Sequence, residues 1–298
     1  MVSLRWLNQY DASIYAKRHS ENAARTRGFT RMLRKASLVF YALALTALVA
    51  WKVVEIEASC HSAGRPVTVQ LKRGPFTLLA FPSKQPVTRA IILFGSGDGG
   101  WSGFEEEIAF ALQAQGYEVI GVNFNDYAET DYDLATLQAD FDRIAVMVQQ
   151  PFGDHAPPLI VGGWSMGAAQ AIAVGGGPNP PRGLAGLLVV DPCSRGRYGL
   201  RLSDRTDFLP TGENTFGVEE FANTLGNLRV VQWHAADDTI DSRAWLATLR
   251  APHQEIDFAR TGHYYSEGRE DFLRKLVASV PWILHPERDR VTTNGSAP

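Results

Sequence analysis

Cysteine is almost absent from this sequence: Cys60 and Cys193 are the only two among 298 residues, so the core cannot rest on a disulfide framework. An oxidising compartment would permit a bridge between them and no more. No set of histidine, cysteine and carboxylate residues stands at metal-ligand spacing, and no metal or other cofactor is expected. Charge of one sign is also missing. A formal net charge of -3 lacks the basic footprint that nucleic-acid binding requires. Internal repeats, heptad runs and low-complexity tracts are absent as well. What remains is an ordinary globular composition, 45% hydrophobic and 20% charged.

The charge is unevenly spread. Residues 1–35 carry Arg5, Lys17, Arg18, Arg25, Arg27, Arg31, Arg34 and Lys35 against Asp11 and Glu21. Residues 36–51 then contain no charge at all, and the run lengthens if Lys52 snorkels to an interface. That approaches the roughly 20 residues a helix needs to cross a bilayer. Cations before the run, with Glu55 and Glu57 after it, predict a single-pass membrane anchor at 36–56 with the N-terminus cytoplasmic and the remainder translocated. The rival reading is a cleaved signal peptide. Against it, the basic region alone exceeds the length of a usual signal, about 15 to 30 residues in all. Cys60 suggests a lipid attachment site, but Glu57 stands where such a site wants an aliphatic residue. A basic tail (1–35), an anchor (36–56) and a linker (57–65) therefore precede one folded domain (66–285), and a disordered tail (286–298) follows it.

Within 66–285, short runs rich in β-branched residues alternate with segments of helical period, the signature of an α/β architecture. Strands are predicted at 67–71, 76–81, 90–94, 118–122, 159–162, 184–190, 229–234 and 255–258. Helices are predicted at 103–115, 133–150, 165–174, 241–249 and 268–280. Two strands come first without a helix between them, which predicts an antiparallel hairpin feeding a mostly parallel sheet with right-handed crossovers. Residues 192–227 break the alternation and are expected to form a cap-like insert.

Chemistry is concentrated at Gly163-Trp164-Ser165-Met166-Gly167, between a strand-like run and a small-residue helix. This G-x-S-x-G elbow puts Ser165 on a tight strand-to-helix turn as a nucleophile, the arrangement of the α/β-hydrolase fold. The N-H of Met166 is an expected oxyanion donor, and the loop Gly95-Ser96-Gly97-Asp98-Gly99-Gly100-Trp101 is expected to supply the other from Ser96 or Gly97. That loop lacks the Lys-Ser/Thr of a P-loop, and Asp98 would repel a phosphate. In the Ser, acid, His order of this fold, His263 follows the last strand and is the expected general base. Asp238, after the strand that ends near His234, is the preferred acid, with Asp237 and Asp191 as alternatives.

These motifs resemble the bacterial virulence-associated VirJ/AcvB family. The resemblance rests on Ser96-Gly97-Asp98-Gly99-Gly100-Trp101, on Gln115-Gly116-Tyr117-Glu118-Val119-Ile120-Gly121-Val122, on Thr136-Leu137-Gln138-Ala139-Asp140, and on Ser165 with Gly167 and Ala168. Asn125-Asp126-Tyr127-Ala128 and Ala169-Gln170-Ala171 depart from the family pattern. The resemblance implies a periplasmic hydrolase of aminoacylated phosphatidylglycerol, chiefly the lysyl form. Such a substrate carries an ammonium group, which Asp98 could pair with and Trp101 could attract by cation-π interaction, while Trp164 lies beside the nucleophile. The expected substrate is thus a lipid or small-molecule ester. The competing readings are a general carboxylesterase or peptidase and a non-catalytic scaffold for secretion-system proteins.

Overall fold

The computed structural model describes residues 63–201, 204, 209–240 and 243–285. The expected tail 1–35, anchor 36–56, residues 57–62 of the linker and the tail 286–298 lie outside them. Among the described residues no helix is long and apolar enough to cross a membrane.

An antiparallel hairpin of β1 (Arg65–Leu71) and β2 (Gly74–Phe81) opens the domain. β3 (Ala90–Gly95), α1 (Gly103–Ala114), β4 (Tyr117–Val122), a short α2 (Phe124–Tyr127) and α3 (Leu134–Gln149) follow. Next come β5 (Leu159–Trp164), α4 (Met166–Gly176) and β6 (Leu184–Val190). A ribbon of β7 (Arg195–Arg197) and β8 (Thr215–Gly217) precedes β9 (Arg229–Ala235), β10 (His253–Phe258) and α5 (Arg269–Leu284). The main sheet has eight strands in the order β1-β2-β4-β3-β5-β6-β9-β10. β2 pairs antiparallel with β4, and every pairing from β4 to β10 is parallel.

Parallel strands covered on both faces read as continuous apolar runs, and every residue of β3 and β5 is buried. The pleat then divides them. Ile91 and Leu93 pack on one face with α3 and α4, whereas Ile92 and Phe94 pack on the other with α1 and α5. The Thr136 to Asp140 motif proves to be structural. Buried Asp140 accepts the Lys72 N-H (3.0 Å) at the hairpin turn and the Tyr127 hydroxyl (3.1 Å), while Gln138 donates to Val174 O (2.9 Å) near the end of α4.

The structure differs from the sequence reading in three places. The helix expected at 241–249 is, where described, a 3-10 segment, Ala244–Thr248. The helix expected from Ser165 starts at Met166, leaving Ser165 at the N-cap position. The β7–β8 ribbon and α2 were not anticipated, since three or four residues are too few to display a period.

Candidate active site

Parallel strands end at the same level, and in open α/β sheets the crevice beyond their carboxyl ends is where ligands bind. Ser165 follows β5, Asp191 follows β6, Asp238 follows β9 and His263 follows β10. Ser165, Asp238 and His263 line one cleft of about 670 Å³ together with Asp98, Trp164, Met166, Cys193, Arg195, Arg197 and Tyr264.

The elbow is built by close backbone approach. Ser165 has φ 55° and ψ -118°, outside the usual range for a non-glycine residue, which costs on the order of 1 to 3 kcal/mol. Its N-H is held by Val190 O at 2.9 Å, which continues the β5–β6 ladder into the turn. A Cβ on Gly163 would lie 2.5 Å from the carbonyl carbon of Gly167, and one on Gly167 would lie 2.4 Å from Gly95 O. Glycine at both positions is thus a packing requirement, and the turn that presents Ser165 packs against the carboxyl end of the neighbouring β3. Met166 opens α4, so its N-H is among those with no intrahelical acceptor and is available to an oxyanion.

The His263 Nδ1 lies 2.5 Å from Asp238 Oδ2, and the Asp238 side chain is only 2% exposed. Asp238 Oδ1 accepts the Ile240 N-H at 2.8 Å, so the carboxylate is fixed at both oxygens. The two loops are tied to each other by Asp237 N-H donating to Thr261 O (3.0 Å) and by Ala236 N-H donating to Phe258 O (3.0 Å). Trp164 Nε1 donates to His263 O at 3.0 Å, and its ring lies 4.7 Å from the imidazole. Arg269 holds the loop from behind through Tyr264 O, and its guanidinium sits over the Phe104 ring. Asp237 is exposed, whereas Asp191 is fully buried with one oxygen accepting the Ala235 N-H at 2.8 Å. Of the three candidate acids, Asp238 is the one hydrogen-bonded to His263.

Asp191 nevertheless stands close behind the pair. Donor atoms of Asp191, Asp238 and His263 all fall within 4.8 Å of one another, the one such cluster among the described residues. His234 lies 3.9 Å from Asp191, and burial holds its imidazole below the usual histidine value, with the Arg243 charge acting in the same direction.

Ser165 and His263 are not joined by a hydrogen bond. The hydroxyl lies 3.5 Å from Cys193 Sγ instead. Such contacts commonly close only when substrate is bound.

The expected second oxyanion donor needs correction. Ser96 N-H donates to Val122 O (3.0 Å), carrying the β3–β4 pairing beyond the strand, and Gly97 N-H donates to the Glu105 carboxylate (3.2 Å). Both N-H groups are committed, and Gly97 would be freed only by a shift of its loop away from Glu105. Glu105 also accepts the Ser102 N-H (2.9 Å) in the capping box of α1. Burial raises its carboxyl above the ordinary value, against the hydrogen bonds from Ser102 and Gly97 that lower it. Sequence reasoning missed Glu105, although Ser102 followed by Glu105 is a recognisable capping signal.

Trp101 also needs correction as a binding residue. It is 5% exposed and stacked on Phe81 with ring centroids 5.7 Å apart, over the space left open by Gly121, and it does not line the cleft. Asp98 does line it, and α1 is capped by Ser102 rather than by Asp98. Cys193, noted from the sequence only as a possible bridge partner, and Arg195, Arg197 and Tyr264 also line the cleft, none of them given a site role from the sequence. Their one signal was position, on either the 192–227 insert or the His263 loop.

The strand order, the strained serine after β5 and the acid and histidine after neighbouring strands are the arrangement of the α/β-hydrolase fold, with Ser165, Asp238 and His263 at the ends of its strands. Residues 89–174 match the family described as "Bacterial virulence protein (VirJ)". No curated protein sequence matches the chain. Among solved structures, the esterase domain of a Rhodothermus marinus protein is similar over 74% of this chain and 98% of its own, at 18% identity and a TM-score of 0.53. A thermostable carboxyl esterase from Bacillus coagulans is similar over 75% and 99%, at 13% identity and a TM-score of 0.56. A soluble variant of monoglyceride lipase from Saccharomyces cerevisiae is similar over 76% and 96%, at 13% identity and a TM-score of 0.54. At these identities the likeness is one of fold.

Proposed function

We propose that the chain is a serine hydrolase that cleaves carboxylic esters, and that its substrate is an aminoacylated phosphatidylglycerol, lysyl or alanyl. The observation that carries the ester reading is the hydrogen-bonded His263–Asp238 pair sharing a cleft with a serine on a strained elbow. His263 takes the Ser165 proton, Ser165 Oγ bonds to the ester carbonyl carbon, and the Met166 N-H stabilises the oxyanion. His263 then returns the proton to the departing alcohol, leaving an acyl-enzyme. Water repeats the sequence, releases the acid and restores Ser165. Asp238 keeps the proton of His263 on Nδ1, so that Nε2 can accept, and stabilises the imidazolium that forms.

The aminoacyl-lipid reading is supported by the VirJ-like segment at 89–174 and by Asp98 on the cleft wall, where a carboxylate suits an ammonium group. A single-pass anchor at 36–56 would hold the domain against the outer face of the inner membrane, where this substrate would be met. Full-length protein in vesicles containing lysyl-phosphatidylglycerol should release lysine, and Ser165→Ala should not. Asp98→Asn should slow that reaction much more than hydrolysis of a neutral short-chain ester. An equal fall on both would remove Asp98 from substrate recognition. Reporters active only outside the cytoplasm should work after Pro298 and fail before Arg31, and the reverse would overturn the topology.

A further inference from the structure

We propose that Arg195 forms an anion subsite in the cleft and selects esters that carry an oxyanion, a phosphodiester or a carboxylate, at a distance from the scissile bond. The inference rests on the serine hydrolase reading and extends it to a residue of the insert. Two arginines of the β7–β8 ribbon line the cleft, and their donors are used differently. Arg197 is consumed by the protein: Nε donates to Asp204 Oδ2 (2.8 Å), Nη1 to Glu213 O (2.6 Å) and Nη2 to Thr211 O (2.8 Å). Its charge is neutralised by Asp204, and both side chains are less than a tenth exposed.

Arg195 is braced on one side only. Nε donates to Pro210 O (3.2 Å) and Nη2 to Thr215 Oγ1 (3.1 Å), both neutral acceptors. Nη1 has no partner among the described residues, and no carboxylate there compensates the charge. The guanidinium is half-buried on the cleft wall, two residues after Cys193, whose sulfur touches the nucleophile. A fixed, partly desolvated guanidinium with an unused donor is suited to a ligand oxyanion, because two of its nitrogens are already held and little side-chain freedom remains to be lost. Asp98 lines the same cleft, so the site offers opposite charges to a substrate that bears both.

The test compares a neutral p-nitrophenyl ester with esters of similar length ending in a carboxylate or in a methyl phosphodiester. For Arg195→Gln, KM for the charged ester should rise about ten- to hundredfold while kcat holds, and the neutral ester should change less than about twofold. Arg195→Lys should recover part of the loss. The charged ester that responds more strongly identifies the preferred oxyanion. A second arm measures binding of glycerophosphoglycerol to Ser165→Ala protein with and without Arg195→Gln, and so needs no catalysis. Equal loss on neutral and charged esters, which a bracing role alone would give, or glycerophosphoglycerol binding and carboxylate-ester KM both unchanged by Arg195→Gln, would overturn the subsite. Failure of the wild type to hydrolyse any ester, with Arg195-dependent binding intact, would count against the hydrolase reading and support the subsite.

Discussion

Asp238→Asn is the sharpest perturbation the site offers, because the structure dictates how the amide must sit. Oδ1 is held as an acceptor by the Ile240 N-H, so the new NH2 group must occupy the other position, 2.5 Å from His263 Nδ1. A donor there forces Nδ1 to accept and moves the imidazole proton to Nε2, the atom that should take the Ser165 proton. The general base is then in the wrong tautomer with its geometry intact. A fall in kcat of about 10³- to 10⁴-fold is expected, or about 4 to 5.5 kcal/mol of barrier, with KM little changed. Steady-state hydrolysis of a neutral ester measures it, with circular dichroism as a check on folding. Asp237→Asn, at an exposed position, should stay within about twofold of wild type. If Asp238→Asn retains activity within about tenfold while Asp191→Asn abolishes it, the acid is Asp191 and the assignment is refuted.

Other expectations follow from the packing and charge of the site. Gly167→Ala places a Cβ 2.4 Å from Gly95 O and 2.5 Å from Ser96 O, so backbone must move; a loss of about 1 to 3 kcal/mol in denaturant melts, with turnover nearly abolished, is expected. Wild-type melts there would show the elbow to be looser than described. Burial raises the Glu105 carboxyl above 4.5, so its favourable contribution is complete below that value and is lost as pH rises through the higher folded value. Melts from about pH 4 to about pH 8 should therefore fall less steeply for Glu105→Gln than for wild type, and parallel curves would contradict the buried, reluctant carboxyl. Cys193 Sγ lies 3.5 Å from Ser165 Oγ, so N-ethylmaleimide should inactivate the enzyme and Cys193→Ser should confer resistance. Inactivation of both alike would place the reactive group elsewhere.

Much of this arrangement was legible in the sequence because parallel sheets write themselves as buried apolar runs. Every predicted strand of the main sheet is present, with ends shifted by a few residues, and the initial hairpin followed by alternation led to the right topology. The G-x-S-x-G elbow was legible for a steric reason: Gly163 and Gly167 are the positions where a Cβ would strike backbone. Asp238 and His263 were named from the Ser, acid, His order along the strand ends, and the parallel neighbours β9 and β10 bring their loops together in the folded chain. What sequence could not supply was the direction in which individual groups point. The Gly97 N-H, expected to face an oxyanion, is held by Glu105, and Trp101, expected at the substrate, fills the space above Gly121. The β7–β8 ribbon left no periodic trace, so Arg195 could not be connected to the cleft before the chain was seen folded.

The central claim is that Ser165 is an activated nucleophile, and fluorophosphonate labelling followed by peptide mass mapping tests it most directly. The purified full-length protein should acquire one phosphonyl group on the peptide containing Ser165. Ser165→Ala should acquire none, and Asp238→Asn should react more slowly in proportion to its loss of ester turnover. A wild-type protein that hydrolyses esters without labelling at Ser165, or a Ser165→Ala protein that still labels and turns over, would contradict the account.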